Sequence, residues 1–238
     1  RLTAPLCIAG AFCLAYLRER GIEVGAHIQQ IGAVKDMPFD RLHLTAEALH
    51  APASKGFAVI DPEAGEAMKG EIECARMAAD SVGGSVECAV IGLPVGVGDH
   101  PFDGMEGRIS AILFSIPAVK GVEFGAGFAI ADMRGSKAND PLRTEHGAVV
   151  STSNNNGGIN GGITNGMPIL FRTAIKPTPT IFKPQDTIDF RTMTDAVLEP
   201  KGRHDPAIVH RARIVQDAAA AIVLCDAMAL RYGTDWLK

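Results

Sequence analysis

MPILFRTAIKPTPTIFKPQDTIDF, residues 167–190, sets two short apolar runs on either side of a proline-punctuated loop. Residues 167–175 and 187–190 have the short, β-branched and aromatic character of strands. Between them stands KPTPT (Lys176, Pro177, Thr178, Pro179, Thr180). Its two prolines fix φ and remove backbone donors, so this loop is stiff and cannot continue as a central strand. Working outward, residues 22–31, 85–93 and 120–124 read as further strands. Residues 3–20, 61–80 and 103–115 read as helices, and residues 208–230 as helix-rich. No regular βαβ unit emerges, so the expected class is α+β, and the lack of any linker-like shift in composition predicts one domain over residues 1–238.

The first helix is apolar around its whole axis, which predicts a buried element with Thr3 as its cap and Gly21 as its stop. Residues 217–230 form a nearly continuous run of Ala, Ile, Val and Leu, expected in the core or at a subunit interface. On the second helix, residues 61–80, Glu63, Glu66, Lys69, Glu71 and Glu73 read as a solvated face, not a metal site. His27 is expected as a packed or surface strand residue and not a ligand, Glu87 in a surface or paired role, and Arg172 as a surface residue.

Composition excludes several classes. The chain has 238 residues, 47% of them apolar, enough for a sizeable core. A net charge of −4 gives no reason to expect nucleic acid or a membrane surface. Residues 2–17 form the longest membrane-span candidate, but they are too short and carry Thr3, Pro5 and Gly10. Five cysteines without a CxxC spacing argue against a disulfide framework and a zinc ribbon. Cys7, Cys13, Cys74, Cys88 and Cys225 sit in apolar runs, so they read as core thiols in a reducing, cytoplasmic setting.

The chemistry is concentrated in loops. NNNGGINGGITNG, residues 154–166, carries five glycines, which permit positive φ and close backbone approach to a ligand. Such a loop can cradle an anion, but Gly and Asn are also ordinary turn residues. KPTPT likewise suits either a phosphate or polar ring, or a plain turn. In GRHDP, residues 202–206, Arg203 and Asp205 point to one side of an extended segment and His204 to the other. The pair reads as a structural salt bridge or as an anion anchor beside a proton acceptor. Gly125 and Gly127 lack the third glycine of a dinucleotide fingerprint, since Ile130 stands there, so that reading is rejected.

The order of SVGGSVEC, GLPVGVG, SIPAVKGVEFGAGF, GSKAND, NNGGINGGITNGMPI, KPTPTIFKPQ and GRHDP resembles the chorismate synthase family over nearly the whole chain. The resemblance implies central helices sandwiched between antiparallel sheets, assembled as a homotetramer. It implies a carbon–oxygen lyase of the shikimate pathway, in aromatic amino acid biosynthesis. The substrate is 5-enolpyruvylshikimate 3-phosphate, which loses phosphate and a ring proton to give chorismate with reduced FMN. That flavin is either reduced on the enzyme with NADPH or received already reduced.

By resemblance, Lys176, Pro177, Thr178, Pro179 and Thr180 lie on FMN, as do Gly161 and Pro117–Ala118. The family often has Asn where Pro117 stands, a change that a backbone contact survives. Arg203 matches an arginine on flavin and substrate, Asp205 an aspartate assisting proton removal, and Arg1 an arginine that holds the substrate. The family also has two histidines in an N-terminal part. None of His27, His43, His50, His100, His146, His204 and His210 stands in those contexts. The chain is therefore expected to match the family's C-terminal two-thirds and to be nearly inactive alone. The competing expectation is an inactive FMN- or anion-binding or assembly module.

Overall fold

The structure is a computed structural model and describes residues 2–237. The elements are α1 (Thr3–Arg18), β1 (Glu23–Ile31), β2 (Val34–Lys35), α2 (Ala46–His50), α3 (Pro62–Met77), β3 (Gly84–Ile91), α4 (Met105–Ser115) and β4 (Val119–Phe124). Then follow α5 (Gly135–Ala138), β5 (Leu142–Glu145), β6 (Ala148–Ser151), β7 (Ile159–Asn160), β8 (Ile163–Thr164), β9 (Ile169–Ile175), β10 (Gln185–Asp189), β11 (Thr194–Leu198) and α6 (Val209–Tyr232). Five strands form one sheet in the order β2-β1-β3-β9-β4. Every pairing in it is antiparallel. The α+β class expected from the sequence is the class found.

Alternation along the strands sorts the sheet's two faces. Val86, Cys88 and Val90 of β3 and Ile169, Phe171 and Ile175 of β9 join the main core with α4 and α6. Ala89 and Leu170, one residue out of phase, pack instead with Phe39, Leu44 and Leu49 from the segment after β2. The Ala-rich run of α6 is buried from Gln216 to Ala221, as its composition demands. Gly10 permits the close crossing of α1 on α6, since a Cβ there would lie 2.3 Å from the Cβ of Ala218.

Several expectations are corrected. Helix α1 is not buried all round: only Gly10 and Leu17 are, while Ile8 and Phe12 are 63% and 75% exposed. The cause is that α1 packs mainly on α6, so only that side is covered. Thr3 is not its cap, for the cap position is Leu2 and carries no side-chain bond. Gly21 does end it, with φ +72° and Ile22 N–H donating to Leu17 O at 3.0 Å. The cysteines are not uniformly core thiols, because Cys74 is exposed on α3 and only Cys88 is buried. Arg172 is not a free surface residue but half-buried and paired with Glu123 at 2.8 Å.

Three two-stranded hairpins lie outside the large sheet: β5–β6, β7–β8 and β10–β11. The first two turn on adjacent residues of positive φ, His146–Gly147 and Gly161–Gly162. That is the two-residue geometry matched to the twist of paired strands. The donors of the Asn-rich loop are largely used internally. Asp140 accepts from Asn155 N at 2.7 Å and Asn156 N at 2.9 Å, and Asn154 Oδ1 accepts from Gly158 N at 2.7 Å. This loop is therefore a self-bonded turn around Asp140, not an open anion cradle.

A buried ion cluster ties the sheet to the segment that follows it. His27 Nδ1 lies 3.1 Å from Asp36 Oδ2, and its Nε2 lies 3.0 Å from Glu87 Oε2. Burial alone would lower the imidazole's pKa, but these two hydrogen bonds outweigh it and raise it. Asp36 also accepts from the N–H groups of Met37, Ile60 and Asp61, and Glu87 from Phe39 N–H.

Candidate active site

The loop Lys176–Thr180 leaves the end of β9, so its place is fixed by a central strand. Lys176 N–H donates to Ala118 O at 2.9 Å, joining KPTPT to Pro117–Ala118 at the start of β4. Ala118 has φ +78°, a left-handed conformation that a residue with a Cβ seldom adopts. Such strain of order 1–3 kcal/mol persists where the surroundings hold it, which is common at functional sites.

The segment entering β3 bridges KPTPT to GRHDP. Ser81 Oγ donates to Thr178 O at 2.6 Å, and Val82 N–H donates to Pro206 O at 2.8 Å. Gly83 is required between them, because a Cβ there would come within 2.5 Å of Ile175 O and 2.9 Å of Pro177. Beyond the prolines, the Phe182 ring meets that of His204, with centroids 5.0 Å apart. Three loops distant in sequence are thus laced together at one end of the sheet.

A cavity of about 320 Å³ opens beside them. It is lined by Pro117, the first described residues of α1 (Leu2 and Thr3), and the first turns of α6, including Arg211. Arg211 Nη2 donates to Asp205 Oδ2 at 2.5 Å. That bond, helped by the charges of Arg203 and His210, holds the carboxyl below the usual carboxylate range, against a small opposing effect of burial.

The expected salt bridge within GRHDP is therefore not the one that forms, since Asp205 is engaged by Arg211 and not by Arg203. The reason is geometric: α6 begins at Val209 and its first turn brings Arg211 back over the DP corner. Lys176 and Arg203 are both exposed, and neither makes a salt bridge among the described residues. Their charges remain available to an anion. His204 turns the other way, towards Phe182, as the alternation implies.

Gly161 stands apart in a single chain. Met105 N–H, at the start of α4, donates to Gly162 O at 2.9 Å, whereas Pro117 follows the other end of that helix. Eleven helical residues at 1.5 Å each separate the two by about 16 Å. Arg1, expected on the substrate, lies outside the described residues. Among the described residues no group of three or more His, Cys, Asp or Glu is placed to hold a metal ion, and no helix is long and apolar enough to cross a membrane.

The residues present fit a flavin. The Oγ1 of Thr178, in the middle of KPTPT, is buried with no hydrogen-bond partner among the described residues. A buried hydroxyl left unbonded is costly unless a ligand completes it. The neighbouring loops add an apolar, partly open cavity beside Pro117, two cations without a salt bridge among the described residues (Lys176 and Arg203) and the Asp205 carboxylate.

Comparison with known proteins bears on this arrangement. The family model described as chorismate synthase matches residues 1–229. The chain belongs to the chorismate synthase family. The chorismate synthase of Pyrococcus abyssi is 43% identical over 233 residues, covering 97% of this chain and 63% of that protein. That of Thermococcus kodakarensis is 43% identical, covering 95% and 61%. A solved structure titled "Crystal Structure of Chorismate Synthase" superposes with a TM-score of 0.81 at 30% identity, over 97% of this chain and 64% of the other. The chain thus spans somewhat less than two thirds of the length of these chorismate synthases.

Reading residues one at a time missed Arg211 and Ser81. A basic residue in the first turn of the last predicted helix, just after an Asp-Pro corner, was the available signal for Arg211. Nothing local marked Ser81, because its partner lies 97 positions away.

Proposed function

We propose that this chain carries the flavin- and proton-handling part of a chorismate synthase. The reaction is the 1,4-elimination of phosphate from 5-enolpyruvylshikimate 3-phosphate to chorismate, with reduced FMN and without net redox change. The observation that supports it most is that Pro117 and Arg211 line one cavity, while Lys176 is bonded to Ala118 beside Pro117 and Asp205 is bonded to Arg211. The setting that follows is cytoplasmic and the assembly a homotetramer, as in the family.

Lys176, Thr178 and the backbone around Ala118 and Pro117 would hold the flavin, and Arg203 would face flavin and substrate. When bound, reduced FMN supplies an electron-rich ring against the substrate ring. The protein's own part is electrostatic and positional. Lys176 and Arg203 offset the charge of anionic groups brought to the site. Arg203, a planar fork, suits the substrate's carboxylates or phosphate. Thr178 Oγ1 gains the partner it lacks. Asp205, ionised at neutral pH, is the proton acceptor that elimination of a ring proton requires.

The test is turnover and flavin binding under anaerobic conditions with reduced FMN. In a complete chain, Asp205→Asn should slow elimination by roughly 10²–10⁴-fold, the usual contribution of a general base, and leave the flavin dissociation constant within about twofold. Equal turnover in variant and parent would remove Asp205 from the mechanism. A second reading is a flavin-binding or assembly module without activity of its own. Tight flavin binding with no chorismate formed by this chain would select it.

A further inference from the structure

Asp205 is the residue on which the proposed chemistry turns, yet its own loop does not fix its side chain. Arg203, two residues away, is not its salt-bridge partner. The Asp205 side chain is 47% exposed, and a carboxylate so open would sample several rotamers in the absence of a partner. Its partner is Arg211, whose backbone is fixed by the first turn of a 24-residue helix. Arg211 N–H donates to Ile208 O at 3.0 Å. Ala212 and Val215 around it are buried in the main core.

The guanidinium also marks a boundary. Arg211 lines the cavity that holds Pro117, and it lines a second, larger one of about 540 Å³. That second cavity is bordered by Lys55, His210 and Arg213, with no carboxylate in its wall. Arg211 is thus a fixed cation between two hollows, with Asp205 attached to it. We propose that Arg211 is a positioning residue for Asp205: its side chain, carried on the first turn of α6 and lining the Pro117 cavity, orients the Asp205 carboxylate through their hydrogen bond. The inference rests on the reading of Asp205 as the proton acceptor.

The chemistry of such a pair has two sides. A permanently charged, planar donor keeps the carboxylate ionised and restricts its rotation. It also weakens the carboxylate as a base, so proton uptake at Asp205 is tied to how firmly Arg211 holds it. The charged and titratable groups that bear on Asp205 are Arg211 first, then Arg203 and His210. His210 is itself held below its ordinary range, by burial and then by the charge of Arg211. An uncharged His210 leaves Arg211 as the main control on Asp205 at neutral pH. The pair is half-exposed and open to salt, so its effect is one of orientation and proton affinity, not of stability.

The experiment is a carbon-13 NMR titration of the Asp205 carboxyl in the flavin-free chain, in the parent, Arg211→Gln and Arg211→Lys. In Arg211→Gln the midpoint should rise towards the ordinary aspartate value of about 3.9, and in Arg211→Lys it should return part of the way. Superimposable titrations in all three would overturn the proposal. If Arg211→Gln does not fold, the parent chain alone decides. There the side-chain N–H resonances of Arg211 must move with the same midpoint as the Asp205 carboxyl, and independent midpoints would refute the coupling. If the midpoint moves but Asp205→Asn leaves turnover unchanged, Arg211 still positions the carboxylate. It is then the catalytic role given to Asp205 that fails.

Discussion

At the scale of single residues, the site is a division of labour among cations. Arg211 is committed to Asp205, while Lys176 and Arg203 are not committed to any carboxylate among the described residues. An unpaired Lys held by a rigid backbone bond to Ala118 is the natural anchor for an anionic or electron-rich ligand. Lys176→Ala should therefore weaken reduced-FMN binding by roughly 10–100-fold, the 1.5–3 kcal/mol of a hydrogen bond to a charged group. Anaerobic fluorescence or calorimetric titration measures it, and an unchanged dissociation constant would count against KPTPT as the flavin loop. The stiffness of the loop that carries Lys176 was legible from its place between an apolar strand and two prolines, whereas its assignment to FMN came from the resemblance. The role of Arg211 was not, because a helix's first turn must be built before its side chain can reach back to the loop before it.

At the scale of elements, a buried histidine fastens the sheet to the chain between β2 and α3. His27 of β1, Glu87 of β3 and Asp36 join four backbone donors of that segment in one cluster. The pKa of His27 is raised, so its stabilisation is complete below the unfolded value of about 6.5 and is lost as pH climbs through the higher folded value. Asp36 is lowered, chiefly by His27 and the N–H groups of Asp61, Ile60 and Met37 against the effect of burial. Its contribution is present above about 3.9 and disappears as pH falls through the folded value. His27→Ala should cost about 3–5 kcal/mol, since it leaves two carboxylates buried without their cation, and it should flatten the fall in stability above neutral pH. Urea denaturation between pH 6 and pH 10 measures both. A loss under about 1 kcal/mol with an unaltered pH dependence would show the cluster to be incidental. Strand and helix placement was readable from periodicity, caps and turn residues, as Asp61 capping α3 shows. The burial of α1 was not readable. An apolar helix announces that it wants cover, but the sequence does not say how many of its sides this chain covers.

At the scale of the molecule, antiparallel pairing brings together segments that are far apart in the chain. The β3–β9 and β4–β9 ladders set the ends of β9 and β4 beside the entry to β3, and α6 returns the GRHDP corner to the same end. The Gly161–Gly162 turn is carried to the other end of α4 by the same topology. The class of fold could be read from the short strands, although α3 and α4 do join consecutive strands of the sheet, each pair being separated in it by an antiparallel neighbour. The convergence of loops could be expected only through family resemblance, since pairing register is a property of the folded sheet. The account stands or falls on that convergence serving one ligand. The most direct measurement is an anaerobic amide NMR titration of the chain with reduced FMN. The account predicts shifts at Ala118, Lys176, Thr178, Thr180, Arg203 and Asp205 with one common dissociation constant. Shifts confined to other parts of the chain, or different constants for Lys176 and Asp205, would contradict it.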